Sequence, residues 1–131
     1  MSWSFDQTTP IYVQIADRMR ERIVRGEYKG GERLPPVREL SLESSANPNT
    51  VQRAYSMLEN EELVVTEGTQ GRRVTDREDV INAARQKMVD ALVKDFVMRL
   101  SSLGYSAADC AELISKQKSL KEENCNAEHD S

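Results

Sequence analysis

The chain has 131 residues, of which 38% are hydrophobic and 31% are charged, and its formal net charge is -4 at pH 7. A chain of this length can bury one modest core, so we expect one small domain with at most a short appendage. No apolar run approaches the roughly 18–20 residues that span a bilayer, and the start MSWSFDQTTP does not have the pattern of a secretory signal, which predicts a cytoplasmic protein without a membrane partner.

The first predicted helix begins at Pro10, directly after Thr9. Thr9 is a suitable N-cap residue, and Pro10 suits the first helical position, where no N–H group is needed. Apolar residues then recur at every fourth position and predict one buried face: Ile11, Ile15, Met19 and Ile23. Gly26 predicts the end of this helix, and residues 27–33 read as a turn or short loop.

Two shorter helices are predicted next. Pro35 and Pro36 begin the second, and Val37 and Leu40 supply its apolar face. The polar run 43–46 has the length of a turn that joins two helices at a steep angle. The third helix begins with Asn47 as its cap and Pro48 at its first position. The apolar stripe that is predicted to face inward consists of Val51, Ala54, Tyr55 and Leu58. The opposite stripe is entirely polar and consists of Asn49, Gln52, Arg53 and Ser56.

Two extended segments, residues 63–67 and 72–75, follow the third helix. The residues between them, Gly68 to Gly71, form a loop of hairpin length with a glycine at each end. Three short helices followed by a two-stranded hairpin are the element order of a winged helix-turn-helix. We therefore predict a mainly α fold with a small β-hairpin, in which residues 1–75 form the winged helix-turn-helix.

A long helix is predicted from Asp76 to Leu103, and Ser106 with Asp109 predicts the capped start of a second helix. The apolar face of the long helix is wider than one short neighbouring helix can cover. An uncovered apolar face on a protein with an otherwise polar surface indicates an interface, so residues 76–118 are predicted to be a helical dimerisation segment. The predicted homodimer interface consists of Met88, Val89, Leu92, Val93, Phe96, Val97 and Leu100. The remaining residues, 119–131, are predicted to be a disordered tail.

The distribution of charged residues along the chain is more informative about a nucleic-acid partner than the net charge. The first 75 residues hold 10 Lys and Arg against 11 Asp and Glu, which by itself does not suggest a nucleic-acid partner. However, no acidic residue lies between Glu43 and Glu59, or between Glu67 and Asp76. These windows contain the third helix and the second strand of the hairpin. Asn and Gln pair with adenine and Arg with guanine in the major groove, so the polar stripe of the third helix has the side chains of a DNA reader.

The segments LPPVREL and NPNTVQRAYSMLE resemble the DNA-binding region of the GntR family of bacterial regulators, and the resemblance extends over residues 10–75. The short remainder is similar to the YtrA subfamily, whose members use their C-terminal helices to dimerise. The resemblance implies that Arg38, Asn49, Thr50 and Gln52 contact operator DNA, with Arg53 beside them. Pro48 stands where some relatives have a basic contact residue.

The hairpin departs from the family pattern. Gly71 matches the family glycine, but Arg72 and Arg73 replace the usual Thr and apolar residue that follow it. These two arginines add positive charge to the hairpin, where they are predicted to lie along the DNA backbone or to enter the minor groove.

The resulting hypothesis is a repressor that binds an inverted-repeat operator in double-stranded DNA as a homodimer, without a cofactor. The alternative is a winged helix that binds proteins rather than a specific DNA sequence. The sequence does not predict an enzyme, because it has one histidine, His129, and no nucleophile placed beside a base. Cys110, Cys125 and His129 are too few and too scattered for structural zinc, so no metal is expected. The sequence does not indicate a small-molecule effector.

Overall fold

The computed structural model describes residues 3–117, apart from the side chain of Gln70, and the chain divides between Gln86 and Lys87 into two compact units. Seven elements are present: α1 (Ile11–Val24), α2 (Val37–Ser44), α3 (Pro48–Asn60), β1 (Val64–Thr66), β2 (Arg72–Val74), α4 (Glu78–Ser102) and α5 (residues 107–117). The first unit contains everything up to the first turns of α4. Within residues 3–117, no helix is both long and apolar enough to cross a membrane.

The core of the first unit is formed by the apolar faces that the sequence predicts for the three short helices. The helices contribute Ile15, Ala16, Met19 and Ile23 from α1, Leu40 from α2, and Val51, Ala54, Tyr55 and Leu58 from α3. Leu63, Val64 and Val74 close the core from the hairpin, and Ile81 closes it from the start of α4. Ile11 was predicted to be part of the buried face but is 45% exposed, because it lies at the very first position of α1.

The predicted cap of α1 is wrong. Pro10, rather than Thr9, is the N-cap residue, and no side chain caps the helix there. Gln14 instead fastens the preceding segment, since its Nε2 donates to the carbonyl oxygens of Thr9 (2.8 Å) and Asp6 (3.0 Å). The predicted end is confirmed: Gly26 has φ of 85°, and the next amide, of Glu27, donates to the carbonyl of Arg22 at 3.0 Å.

The predicted start of α3 is confirmed. Asn47 is the N-cap, and its side-chain oxygen accepts a hydrogen bond from the backbone N–H of Asn49 at 2.8 Å. Pro48 occupies the first helical position, where its missing N–H group costs nothing. A tight turn through Ser45, with φ of 60°, joins α2 to α3 and completes a helix-turn-helix.

The hairpin pairs β1 with β2 in antiparallel register, with Val64 opposite Val74 and Thr66 opposite Arg72, and a short 3-10 turn at Gly68–Gln70 forms its tip. Residues 31–33, predicted as loop, and Leu34 lie along the other edge of β2. The amide of Gly31 donates to Val74 (3.0 Å), and the amide of Leu34 donates to Arg72 (2.9 Å). This pairing joins segments far apart in the sequence, so local patterns do not reveal it.

The second unit contains the rest of α4 and α5. The predicted cap of α5 is confirmed as a reciprocal pair: the amide of Asp109 donates to Ser106 Oγ (3.1 Å), and the amide of Ser106 donates to Asp109 Oδ2 (2.9 Å). These bonds lower the pKa of the Asp109 carboxyl, the backbone bond most strongly. Cys110 is buried. The predicted tail 119–131, with Cys125 and His129, lies outside the described residues.

Candidate nucleic-acid interface

The outer face of α3 is exposed and carries no acid. Asn49, Gln52, Arg53 and Ser56 are exposed, and Thr50 is half-buried. Ser56 Oγ donates to the carbonyl of Gln52 at 3.1 Å, so this hydroxyl is turned back onto its own helix. From Asn49 to Ser56 the helix rises about 10 Å, which is the length of about three base-pair steps. The face therefore offers two amides and one guanidinium at the spacing of neighbouring base pairs.

Arg53 is held by α1. The central carbon of its guanidinium lies 4.1 Å from the centre of the Tyr12 ring, which is cation–π distance. Arg53 is nevertheless exposed, so its side chain can still reach a ligand. Tyr12 was not predicted as a site residue. Its place beside the buried stripe of α1 was the only available signal, and a helical periodicity does not show which helix lies opposite.

Arg38 is exposed at the second position of α2, and it takes part in none of the ion pairs found between residues 3 and 117. The first N–H group that the helix bonds internally belongs to Leu40, which donates to Pro36 at 3.1 Å. The amides just before it remain outside the helical ladder. A positive side chain and the positive end of the helix dipole thus lie together.

The two hairpin arginines are engaged within the protein. Arg72 donates from Nε to Glu59 Oε1 at 2.7 Å, lies over the ring of Tyr55 at 4.9 Å, and is only 17% exposed. Arg73 is ion-paired with Glu67, the residue that follows β1. Gly71, beside them, has φ of 81°, a conformation that favours glycine. The positive charge that the sequence predicts for the hairpin is therefore largely neutralised at Arg72 and Arg73.

Glu59 joins α3 to both strands of the hairpin, because Oε1 also accepts from Thr66 Oγ1 at 2.9 Å. Tyr55 connects α3 to the start of α2 by donating its hydroxyl to the carbonyl of Pro35 at 2.5 Å. Burial raises the pKa of the Tyr55 phenol. These contacts fix the hairpin relative to α3. No pattern in the sequence indicated these contacts, since Glu59 marked only the end of an acid-free window.

The arrangement is that of a winged helix-turn-helix, with an exposed polar helix, a basic residue at the start of the preceding helix and a hairpin on the flank. It can place side chains in a major groove and amides and guanidinium groups against phosphates. Within residues 3–117, no cluster of His, Cys, Asp or Glu is positioned to hold a metal ion.

Comparison with known proteins agrees with this geometry. Residues 11–74 match the model of the gntR family of bacterial regulatory proteins. The chain is 34% identical over 114 residues to the HTH-type transcriptional regulator YhcF of Bacillus subtilis, covering 87% of this chain and 94% of that protein. It is 49% identical over 59 residues to the HTH-type transcriptional repressor YtrA of the same species, covering 45% of each.

A solved structure is similar over most of the chain. The GntR family transcriptional regulator from Listeria monocytogenes superposes with a TM-score of 0.79 at 33% identity, covering 86% of this chain and 98% of that one. The proteins that match are transcription regulators rather than enzymes, and the mainly helical winged fold is shared.

Proposed function

The chain belongs to the GntR family of bacterial regulatory proteins, which are DNA-binding transcription regulators, and we propose that it is a repressor that binds an inverted-repeat operator as a homodimer. The repressor role is supported by the name of the YtrA relative, which is 49% identical over 59 residues. The observation that carries the proposal is the exposed, acid-free face of α3.

We place α3 in the major groove. Asn49 and Gln52 are one helical turn apart, so they would read neighbouring bases, and their amides are suited to adenine. Arg53 is suited to guanine, and its stacking on Tyr12 at 4.1 Å limits the directions it can take. Thr50 and Arg38 would hold phosphates on either side, and Gly71 would bring the backbone of the hairpin close to DNA.

The homodimer is proposed from the apolar face of α4. Leu92 is 69% exposed and Phe96 is 37% exposed, and Val89 and Val93 on the same face are exposed as well. Met88, Val97 and Leu100 are half-buried. A continuous apolar stripe of this kind is costly in water, and a second copy of the chain would cover it with an identical stripe. A two-fold dimer presents two copies of α3 in opposite directions, which is why the operator is expected to be an inverted repeat.

Selection of bound duplexes from a random pool tests the proposal. The full chain should enrich an inverted repeat whose half-sites are separated by a fixed spacing. Gln52→Ala should relax the preference at one or two positions per half-site, with little effect on binding to random duplex. Gln86→Ala, which removes an exposed amide from α4, is the matched control and should enrich the parent sequence.

The alternative, a winged helix that binds proteins, predicts a different result. Phosphate contacts dominate DNA affinity at low salt, so a DNA-binding module binds even random duplex under those conditions. Failure to bind any duplex at low salt would contradict the proposed function and favour the protein-binding module.

A further inference from the structure

We infer that Arg33, together with Arg38 and the backbone around Gly71, forms a seat for one phosphate group of the DNA backbone beside the hairpin. The inference rests on the proposed function, which it extends to a residue that no sequence motif singles out. It starts from a cavity of about 320 Å³ between the start of α2 and the hairpin. Arg33, Arg38, Gly71 and Arg72 line this cavity together with apolar side chains.

The residues around the cavity carry positive charge. Three arginines line it and no acidic residue does. Arg72 is neutralised by Glu59, but Arg33 and Arg38 take part in none of the ion pairs among residues 3–117. Glu39 lines a neighbouring cavity that Arg33 also borders, but Arg33 and Glu39 do not form an ion pair. Two uncompensated cations around one cavity are stabilised by an anion that both can contact.

The position of Arg33 is fixed by the backbone. Residues 31–34 lie along the free edge of β2, with the amide of Leu34 donating to the carbonyl of Arg72 (2.9 Å) and an isolated bridge between Arg33 and Arg73. The guanidinium of Arg33 lies over Gly71, where a Cβ atom added to the glycine would be 3.7 Å from Arg33 Nη2. Because glycine has no side chain, nothing at this position separates the guanidinium from a ligand that approaches the hairpin.

A phosphate group fits these features. A guanidinium binds phosphate through two parallel N–H groups, and the unbonded amides at the start of α2 add favourable dipoles. The DNA backbone is the proposed source because Arg38 and Gly71, on either side of Arg33, are themselves proposed to face DNA. A free phosphate compound has the same chemistry, so the experiment separates the two sources.

The test compares Arg33→Ala with Arg25→Ala. Both variants remove one arginine, but Arg25 lies at the end of α1 and is ion-paired with Glu21. Binding of fluorescent duplex is measured by anisotropy at several salt concentrations, for the selected operator and for a random duplex. Each phosphate contact contributes about 0.9 to the slope of log K against log salt. Arg33→Ala should reduce the magnitude of this slope by about 0.9, the value of one phosphate contact, on each duplex that it binds. Arg25→Ala should leave the slope unchanged, and Arg33→Lys should largely restore it.

Equal slopes for Arg33→Ala and the parent, with both proteins folded by circular dichroism, would overturn the assignment to the DNA backbone. A second arm titrates inorganic phosphate into the DNA-free protein and follows it by phosphorus NMR. Phosphate binding that Arg33→Ala abolishes, alongside an unchanged DNA slope, would assign the same seat to a free phosphate compound. If Arg33→Ala changes neither the salt dependence of DNA binding nor the binding of phosphate, the proposed phosphate site is wrong. If the parent itself fails to bind duplex at low salt, the proposed function fails, and the phosphate arm still tests the seat.

Discussion

The contacts of single side chains separate two kinds of arginine on this surface. Arg72 and Arg73 are paired with acids of the protein, whereas Arg53 lies over an aromatic ring and is exposed. A paired guanidinium has to give up its partner before it can bind a base or a phosphate, and this reduces the net gain from binding. Arg53 takes part in none of the ion pairs among residues 3–117, so it has no acidic partner to give up when it binds DNA. Of the three, it is the arginine best prepared to read a base.

Tyr12→Leu should therefore weaken discrimination at the base that Arg53 reads. The stacking contributes about 0.5–1 kcal/mol at an exposed site, which corresponds to a few-fold change in the preference for that base. Tyr12→Phe keeps the ring and should retain the preference. The measurement is binding to a panel of operators that differ at one position.

A double-variant comparison shows whether Tyr12 acts through Arg53. In an Arg53→Ala background, Tyr12→Leu should have no further effect on base preference. If the loss of affinity is equal in both backgrounds, Tyr12 contacts DNA or stabilises the fold by another route, and its assignment as a positioning residue is wrong.

The elements of the first unit are connected by long-range polar contacts. Glu59 on α3 accepts hydrogen bonds from Thr66 of β1 and Arg72 of β2, so one carboxylate connects three elements. The hairpin has only three residues per strand, which is too short to be stable alone. Its position beside α3 therefore depends on these contacts and on the apolar residues at its base.

Glu59→Ala should lower the free energy of unfolding by about 1–3 kcal/mol, because it leaves the partly buried Arg72 guanidinium without its acceptor. Glu67→Ala is the matched control. It removes the partner of Arg73, in a more exposed pair, and should cost less than about 1 kcal/mol. Urea unfolding followed by circular dichroism measures both. Equal costs would mean that Glu59 is no more than a surface acid.

The connection between α3 and α2 predicts a pH dependence. Burial raises the pKa of the Tyr55 phenol above its ordinary value of about 10, so the folded state holds this proton more tightly than the unfolded state. The stabilisation is complete below pH 10 and declines as the pH rises above it. Tyr55→Phe should remove this part of the alkaline loss of stability, and at neutral pH it should cost about 0.5–1.5 kcal/mol for the bond to Pro35. Identical alkaline slopes for parent and variant would contradict the prediction.

The sequence predicted those elements that depend on local chemistry. The caps by Asn47 and Ser106 and the end at Gly26 were identified correctly, because each depends on residues within a few positions. The bonding of residues 31–34 to the edge of β2 and the pairing of Arg72 with Glu59 were not identified. Both join parts of the chain that only folding brings together, so no periodicity in the sequence shows them.

At the scale of the whole molecule, α4 belongs to both compact units. Its start contributes Ile81 to the core of the first unit, and Arg85 Nη2 donates to the last carbonyl of α1, that of Val24, at 3.0 Å. The rest of the helix carries the apolar face that is predicted to join two copies. DNA binding and self-association are thus proposed to use different parts of the chain, and variants of one part can be made without changing the other.

The double variant Leu92→Glu with Phe96→Glu tests the dimer. Each of these apolar side chains, when buried between two copies, would contribute about 1.5–3 kcal/mol, and a carboxylate in its place would cost further free energy of desolvation. The full chain should have the mass of a dimer at micromolar concentration by light scattering, and the double variant should have that of a monomer. Met98→Glu is the control, because Met98 is 62% exposed on the same helix but lies two residues from Phe96, on the opposite face.

The same variants connect assembly with operator recognition. Two copies of α3 bound to one inverted repeat double the number of phosphate and base contacts, so loss of the dimer should weaken binding to the full operator far more than binding to a single half-site. Met98→Glu should bind both duplexes like the parent. A full-length chain that is monomeric at micromolar concentration, or a double variant that still binds the inverted repeat with parental affinity, would show that the apolar face of α4 has another role and that each copy reads DNA alone.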